Sequence, residues 1–195
     1  HHYWPHLILL CASALAVLLW SAAPARAAAF DDQTASLFPA PPALTLESWA
    51  ACWGDYNNDG YVDVNAGGRL WKNNGGTSFT FAHWLSAGPW GDYNNDGLLD
   101  SYGSHSNSLY RNQSSGGTTS FVQDITMPPV PAGSGVSQYT NRGASWADYN
   151  GDGYVDLFVT GYETGGMSPY NDTLMMNNSG TSFSGSTIGS AANAR

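Results

Sequence analysis

One acidic motif, present three times, constrains the fold of this chain more than anything else in it: WGDYNNDGYVD at Trp53–Asp63, WGDYNNDGLLD at Trp90–Asp100 and WADYNGDGYVD at Trp146–Asp156. Oxygen-bearing side chains fall at alternate positions, Asp55, Asn57, Asp59 and Asp63 in the first copy, with Gly60 directly after the third. A hard cation such as Ca²⁺ takes six to eight oxygens at roughly 2.3–2.6 Å, and a loop supplies them from positions 1, 3 and 5 and the backbone carbonyl of position 7. Glycine at position 6 allows the sharp turn. Asp92, Asn94, Asp96 and Asp100 repeat the set, as do Asp148, Asn150, Asp152 and Asp156. The position-7 carbonyls belong to Tyr61, Leu98 and Tyr154. Asn, Asp and Gly also favour plain polar turns, but turn chemistry alone does not demand the same eleven-residue pattern three times. The expected cofactor is therefore Ca²⁺, about three ions per chain.

A helix–loop–helix calcium site would close with a bidentate acid at position 12. That position holds Ala66, Gly103 and Val159, and the fourth acid stands at position 9 instead. The segments that follow, YVDVNAGG, LLDSYGS and YVDLFVTG, are short, β-branched or alternating, and run into glycine. They predict strands, so the sites are strand–loop–strand.

Each loop sits inside a longer unit. RLWKNNGGTSF (Arg69–Phe79), SLYRNQSSGGTTSF (Ser108–Phe121) and TLMMNNSGTSF (Thr173–Phe183) each read as a hairpin with an Asn/Gly turn. The first aspartates recur after 37 and then 56 residues, a period expected of repeat arrays of four-stranded units. The units are predicted at about 49–84, 87–126 and 143–183, with residues 184–195 as a flexible tail or a truncated further repeat.

The pattern W-[GA]-D-Y-N-x-D-G-x-x-D, followed by L-[WY]-[KR]-N and G-T-x-F, resembles the FG-GAP/VCBS repeat, the blade unit of integrin alpha-subunit propellers and of many bacterial extracellular proteins. The resemblance covers about residues 49–183. It implies an all-β fold of propeller type with calcium held in loops within the blades, and a role in adhesion or in binding glycans or proteins. Such propellers commonly close with more blades than three, and the third hairpin, LMMNN, lacks the aromatic and basic residues of the other two. The expected architecture is an incomplete ring of about three blades, whose unpaired edges invite pairing with another chain.

Charge and composition narrow the function. Charged residues make up 11% of the chain, well under the ~25% of ordinary soluble domains. Nine of the 15 acids lie in the three loops, so three Ca²⁺ would bring the formal charge of −9 to −3. Six Lys and Arg, scattered singly, form no basic patch, which argues against a nucleic-acid partner. No G-x-S-x-G or H-E-x-x-H occurs, and His83 and His105 stand alone in different units, so no enzyme is expected. Cys52, on the strand entering the first loop, reads as a buried small hydrophobe.

The 14-residue apolar run Leu7–Trp20 precedes SAAPARA, whose Ala25-Arg26-Ala27 fits a small-residue cleavage pattern. A membrane span needs about 20 apolar residues. Residues 1–28 are thus a signal peptide or, if retained, an apolar N-terminal arm, the one route to a membrane; residues 29–48 form a Pro-rich linker. The expected localisation is secreted or cell-surface. Sequons at Asn112, Asn171 and Asn177 offer glycosylation acceptors. The functional expectation is an extracellular binding or adhesion module, its ligand a glycan or a protein, with calcium rigidifying the blades. Two alternatives stand beside it: a self-assembling subunit of an extracellular fibre, and the propeller scaffold of a polysaccharide-active enzyme. Trp53, Trp90 and Trp146, fixed before each loop, are expected to pack between blades; Trp71, Trp84, Tyr110, Tyr139, Tyr162 and Tyr170 are expected at the surface.

Overall fold

The computed structural model describes residues 31–38, 50–104, 106–125, 127–128, 143–160 and 172–188. The chain divides into two compact units, His1–Asp32 and Gln33–Arg195, and every element below lies in the second. The expected leader, most of the Pro-rich linker, Asn171, Tyr139, Tyr162 and Tyr170 fall outside the described residues.

Among the described residues, the strands form three four-stranded antiparallel sheets, each a simple up-and-down meander. The first comprises β1 (Ala51–Gly54), β2 (Asp63–Ala66), β3 (Arg69–Asn73) and β4 (Phe79–Trp84). The second comprises β5 (Trp90–Gly91), β6 (Asp100–Gly103), β7 (Ser108–Asn112) and β8 (Phe121–Gln123). The third comprises β9 (Gly143–Ala147), β10 (Asp156–Thr160), β11 (Asp172–Asn177) and β12 (Phe183–Ile188). A short helix, α1 (Thr34–Leu37), precedes them. The acidic motif joins the first strand to the second in every sheet, as the alternating residues on either side predict. Tight turns follow from local chemistry: Gly67 and Gly68, at φ 60° and 73°, make a two-residue hairpin loop between Ala66 and Arg69, which face each other in the ladder. Two successive positive φ values match the strand twist and favour glycine.

The register is the same in all three sheets at the loop base. Gly54 faces Asp63, Gly91 faces Asp100 and Ala147 faces Asp156. The cores lie between sheets. Tyr56, Leu70, Leu85 and Phe121 bury together where the second sheet meets the first, and Tyr93, Tyr102, Leu109, Leu157, Val159, Met175 and Phe183 bury where the third meets the second.

Each interface uses the same four contacts. The tryptophan of one sheet lies flat over the glycine of the sheet before it: a Cβ placed on Gly54 would stand 2.7 Å from Trp90 Cδ1, and one on Gly91 would stand 2.7 Å from Trp146 Cγ. The indole N–H then donates backward, Trp90 Nε1 to Cys52 O at 3.3 Å and Trp146 Nε1 to Pro89 O at 3.1 Å. A phenylalanine covers the loop tyrosine, Phe121 over Tyr56 at 5.9 Å and Phe183 over Tyr93 at 6.2 Å. An asparagine closes the contact, Asn112 Nδ2 donating to Tyr56 O at 2.7 Å and Asn177 Nδ2 to Tyr93 O at 2.8 Å.

Several expectations need correction. Trp53 is 62% exposed because among the described residues no sheet lies before the first. Its neighbour Phe79 is nonetheless buried, because Phe38 stacks on it at 4.7 Å and meets Trp71 edge-on at 5.2 Å. Phe38 thus does for Phe79 what Tyr56 and Tyr93 do for Phe121 and Phe183, so the described part of the supposed linker caps the first sheet through Phe38. Trp71 is buried, not at the surface, and Tyr110 is half-buried; Trp84 is exposed as expected. The third unit continues past Phe183, since Ser184–Ile188 complete β12 along the edge of β11. Small polar residues there read as a tail, yet the open edge of β11 supplies the partner that makes them a strand.

Candidate metal centre

The three loops share one hydrogen-bonding plan. The first aspartate holds the turn with both oxygens: Asp55 Oδ1 accepts from Asp59 N at 3.1 Å and Oδ2 from Gly60 N at 2.8 Å. Asp92 does the same with Asp96 and Gly97 at 3.0 and 2.9 Å, and Asp148 with Asp152 and Gly153 at 3.2 and 2.9 Å. Position 3 accepts from the N–H of position 5, with Asn57, Asn94 and Asn150 at 3.2, 3.0 and 2.9 Å. Position 5 accepts from the N–H of position 7: Asp59 from Tyr61, Asp96 from Leu98 and Asp152 from Tyr154, at 3.1, 2.9 and 2.9 Å. The Asn side-chain amide also donates to the outer oxygen of position 5, at 3.0, 3.0 and 2.8 Å. Positions 1, 3 and 5 are thereby gathered on one side of each loop.

Position 9 plays a part the sequence does not announce. Asp63, Asp100 and Asp156 are buried, and each clamps two separate pieces of backbone. Asp63 accepts from Tyr56 N at 3.3 Å and Asn73 N at 2.7 Å; Asp100 from Tyr93 N at 3.2 Å and Asn112 N at 2.8 Å; Asp156 from Tyr149 N at 3.0 Å and Asn177 N at 2.8 Å. The carboxylate therefore ties the start of its loop to the third strand of its sheet.

An ionised carboxylate has about four lone-pair positions, so these bonds leave each loop aspartate able to accept more. Among the described residues no three His, Cys, Asp or Glu side chains converge as a metal cluster; the loop donor set is instead mixed, with two aspartates, an amide oxygen and a carbonyl at the rim and one aspartate beneath. Oxygen-only donors suit a hard cation. Charge points the same way. Burial, reinforced by Asp59 and Asp55, pushes the Asp63 carboxyl up to about 6 against the pull of its two N–H donors. Burial, reinforced by Asp96 and Asp92, pushes Asp100 up to about 7. A divalent cation in the loop would relieve both, and on this ground the residues fit Ca²⁺.

These shifts carry a pH prediction for chelator-treated protein. Asp63 and Asp100 are easier to protonate in the folded chain than in the unfolded one, where an aspartate titrates near 3.9. Their contribution to stability is fully present below about 4 and is lost as pH rises through about 6 and 7. In chelator the melting temperature should rise on going from pH 7.5 to 5, and excess calcium should remove that rise by favouring the ionised carboxylates. A melt that falls steadily over the same interval in chelator would contradict it.

Neighbouring loops also touch. Asn58 Nδ2 donates to Gly97 O at 2.9 Å, and Asn95 Nδ2 donates to Gly153 O at 2.9 Å. Position 4 of one loop thus grips position 6 of the next. The third loop carries Gly151 at position 4, and its Tyr149 is 73% exposed where Tyr56 and Tyr93 are 1% exposed.

Two expected modification sites do not survive. Asn112 and Asn177 are buried, 1% and 3% exposed, and besides the inter-sheet bonds their amides donate to Leu99 O at 3.0 Å and Val155 O at 3.0 Å. Neither nitrogen is accessible for a glycan in the folded chain. A sequon specifies an acceptor triplet and says nothing about burial; the Asn that recurs after each apolar pair was the signal of an internal link.

No curated protein and no solved structure gives a match to the chain. Residues 92–159, from the first aspartate of the second loop to β10, match the model of the FG-GAP-like repeat, so an FG-GAP-type repeat is what this part of the chain is similar to.

Proposed function

We propose that the chain is a secreted calcium-binding repeat protein, each loop holding one Ca²⁺, and that it serves as an extracellular module for binding or adhesion to a glycan or protein. The reading is carried by one observation: three loops present the same oxygen set in the same hydrogen-bonded frame, each above a buried carboxylate, and in the first two loops that carboxylate is pushed up in a way a cation would relieve. Asp55, Asn57, Asp59, Tyr61 and Asp63 would hold the first ion, Asp92, Asn94, Asp96, Leu98 and Asp100 the second, and Asp148, Asn150, Asp152, Tyr154 and Asp156 the third, the position-7 residues through their carbonyls. The ion would supply fixed positive charge, and the loops would hold adjacent sheets in register through the Asn58 and Asn95 contacts. The export-like first segment and the FG-GAP-like match support an extracellular setting and a propeller-type arrangement.

Elemental analysis after equilibration with calcium and gel filtration tests the first half of the reading; three ions per chain are expected, and calcium at background ends it. Calcium-dependent retention on a glycan or matrix-protein array tests the second half. Release of product from a polysaccharide would replace the binding role with an enzymatic one.

A further inference from the structure

We propose that the three loops are unequal calcium sites, with Lys72 acting as a built-in counter-ion that makes the first loop the weakest. This rests on the calcium reading above. The three donor sets match in donor type at every position, position 7 giving a backbone carbonyl in each, so a difference is to be sought in what surrounds them. Lys72 Nζ lies 2.9 Å from Asp59 Oδ2, the outer oxygen of position 5 in the first loop. The residue at the same place in each unit is the one before the buried Asn: Lys72 before Asn73, Arg111 before Asn112, Met176 before Asn177. Arg111 is turned to Asp124, its Nε 3.3 Å from Oδ2, and not to the second loop. Met176 carries no charge.

The Asn side chain at position 3 also competes for the position-5 oxygen, but it does so in all three loops and cannot distinguish them. Lys72 can. To use Asp59 Oδ2 fully, Ca²⁺ must break the ammonium–carboxylate contact, and the ammonium stays tethered nearby as a like charge. Both side chains are about one-third exposed, 36% and 31%, so solvent screens the pair and the penalty is modest, roughly fivefold in Kd. As calcium rises, the second and third loops fill first and the first loop last, with release of Lys72 as its final step. The chain would then exist with two ions over an interval of calcium concentration, its first sheet being the part whose loop is still held by the internal cation.

Calorimetric titration of the full chain with CaCl₂, after chelator treatment and in about 0.1 M KCl, tests this. The expected isotherm has two tighter sites and one about fivefold weaker. Lys72→Met, which installs the residue of the third unit, should bring the weak site up to the others. Met176→Lys should create a second weak site, and raising KCl should shrink the gap in the wild type. Three equal sites, unchanged in Lys72→Met and Met176→Lys, would overturn the inference and leave the calcium reading standing. No calcium heat in any variant, with circular dichroism confirming the fold, would defeat both.

Discussion

Replacing Asp100 with alanine should destabilise the chain by about 3 kcal/mol even in chelator, and by more in calcium, where an ion ligand is lost as well, whereas replacing Asp96 should matter only when calcium is present. Asp100 is buried and receives the N–H groups of Tyr93 and Asn112. Without the carboxylate both donors remain inside the protein without an acceptor, at about 1–3 kcal/mol each. Burying the charge has its own cost, seen in a carboxyl pushed up to about 7, and losing that cost offsets part of the damage. Asp96 is exposed and its backbone contacts can be replaced by water, so its alanine variant loses only the ion. Linkage sets that loss at about 2.7 kcal/mol when calcium stands at a hundredfold excess over Kd. Urea unfolding in chelator and in calcium separates the two. If Asp100→Ala in chelator lies within about 1 kcal/mol of the wild type, the buried clamp is not what holds loop to strand.

The second large effect is expected at Gly91. A methyl group there would meet the Trp146 ring at 2.7, 2.8 and 2.9 Å, closer than carbon atoms approach without displacement. The ring cannot slide away freely: its Nε1 donates to Pro89 O at 3.1 Å and its face packs near Phe183 at 6.1 Å. Gly91→Ala should therefore cost about 2–3 kcal/mol through overpacking, and Trp146→Ala in the same chain should recover part of it, a coupling that a double-mutant cycle reads directly. The reverse exchange at the equivalent place in the third sheet, Ala147→Gly, should change stability by less than about 1 kcal/mol, because Ala147 is exposed and only strand propensity is at stake. Equal unfolding midpoints for Gly91→Ala and the wild type would show that the indole does not sit on that glycine.

Local chemistry was legible and neighbourhood was not. The loops, the strands that flank them and the hairpins depend on residues within about a dozen positions, and Asp, Asn and Gly at fixed offsets specify them. Trp53, Trp90 and Trp146 have nearly identical local sequences, yet one is exposed and two are half-buried against the next core, because the difference lies in which sheet stands in front. Phe38 reaches Phe79 across forty residues of sequence, beyond any periodic signal. Asp63, Asp100 and Asp156 were legible as oxygen donors, but their backbone clamps join positions 10, 12 and 21 residues apart. The variable hairpin insertions between those positions hide the constancy of the contact.

The two small exchanges in the third motif give the array a direction of growth. An extra copy of the second unit inserted between the second and third would seat its own tryptophan on Gly91, offer its own glycine to Trp146, and bridge both neighbouring loops with asparagine. The same copy appended beyond the third would have to press its indole onto the Ala147 methyl and would find Gly151, with no side-chain amide to reach its loop. A molecule built on this plan lengthens by duplication from within, and anyone extending it by design should cut between the sheets.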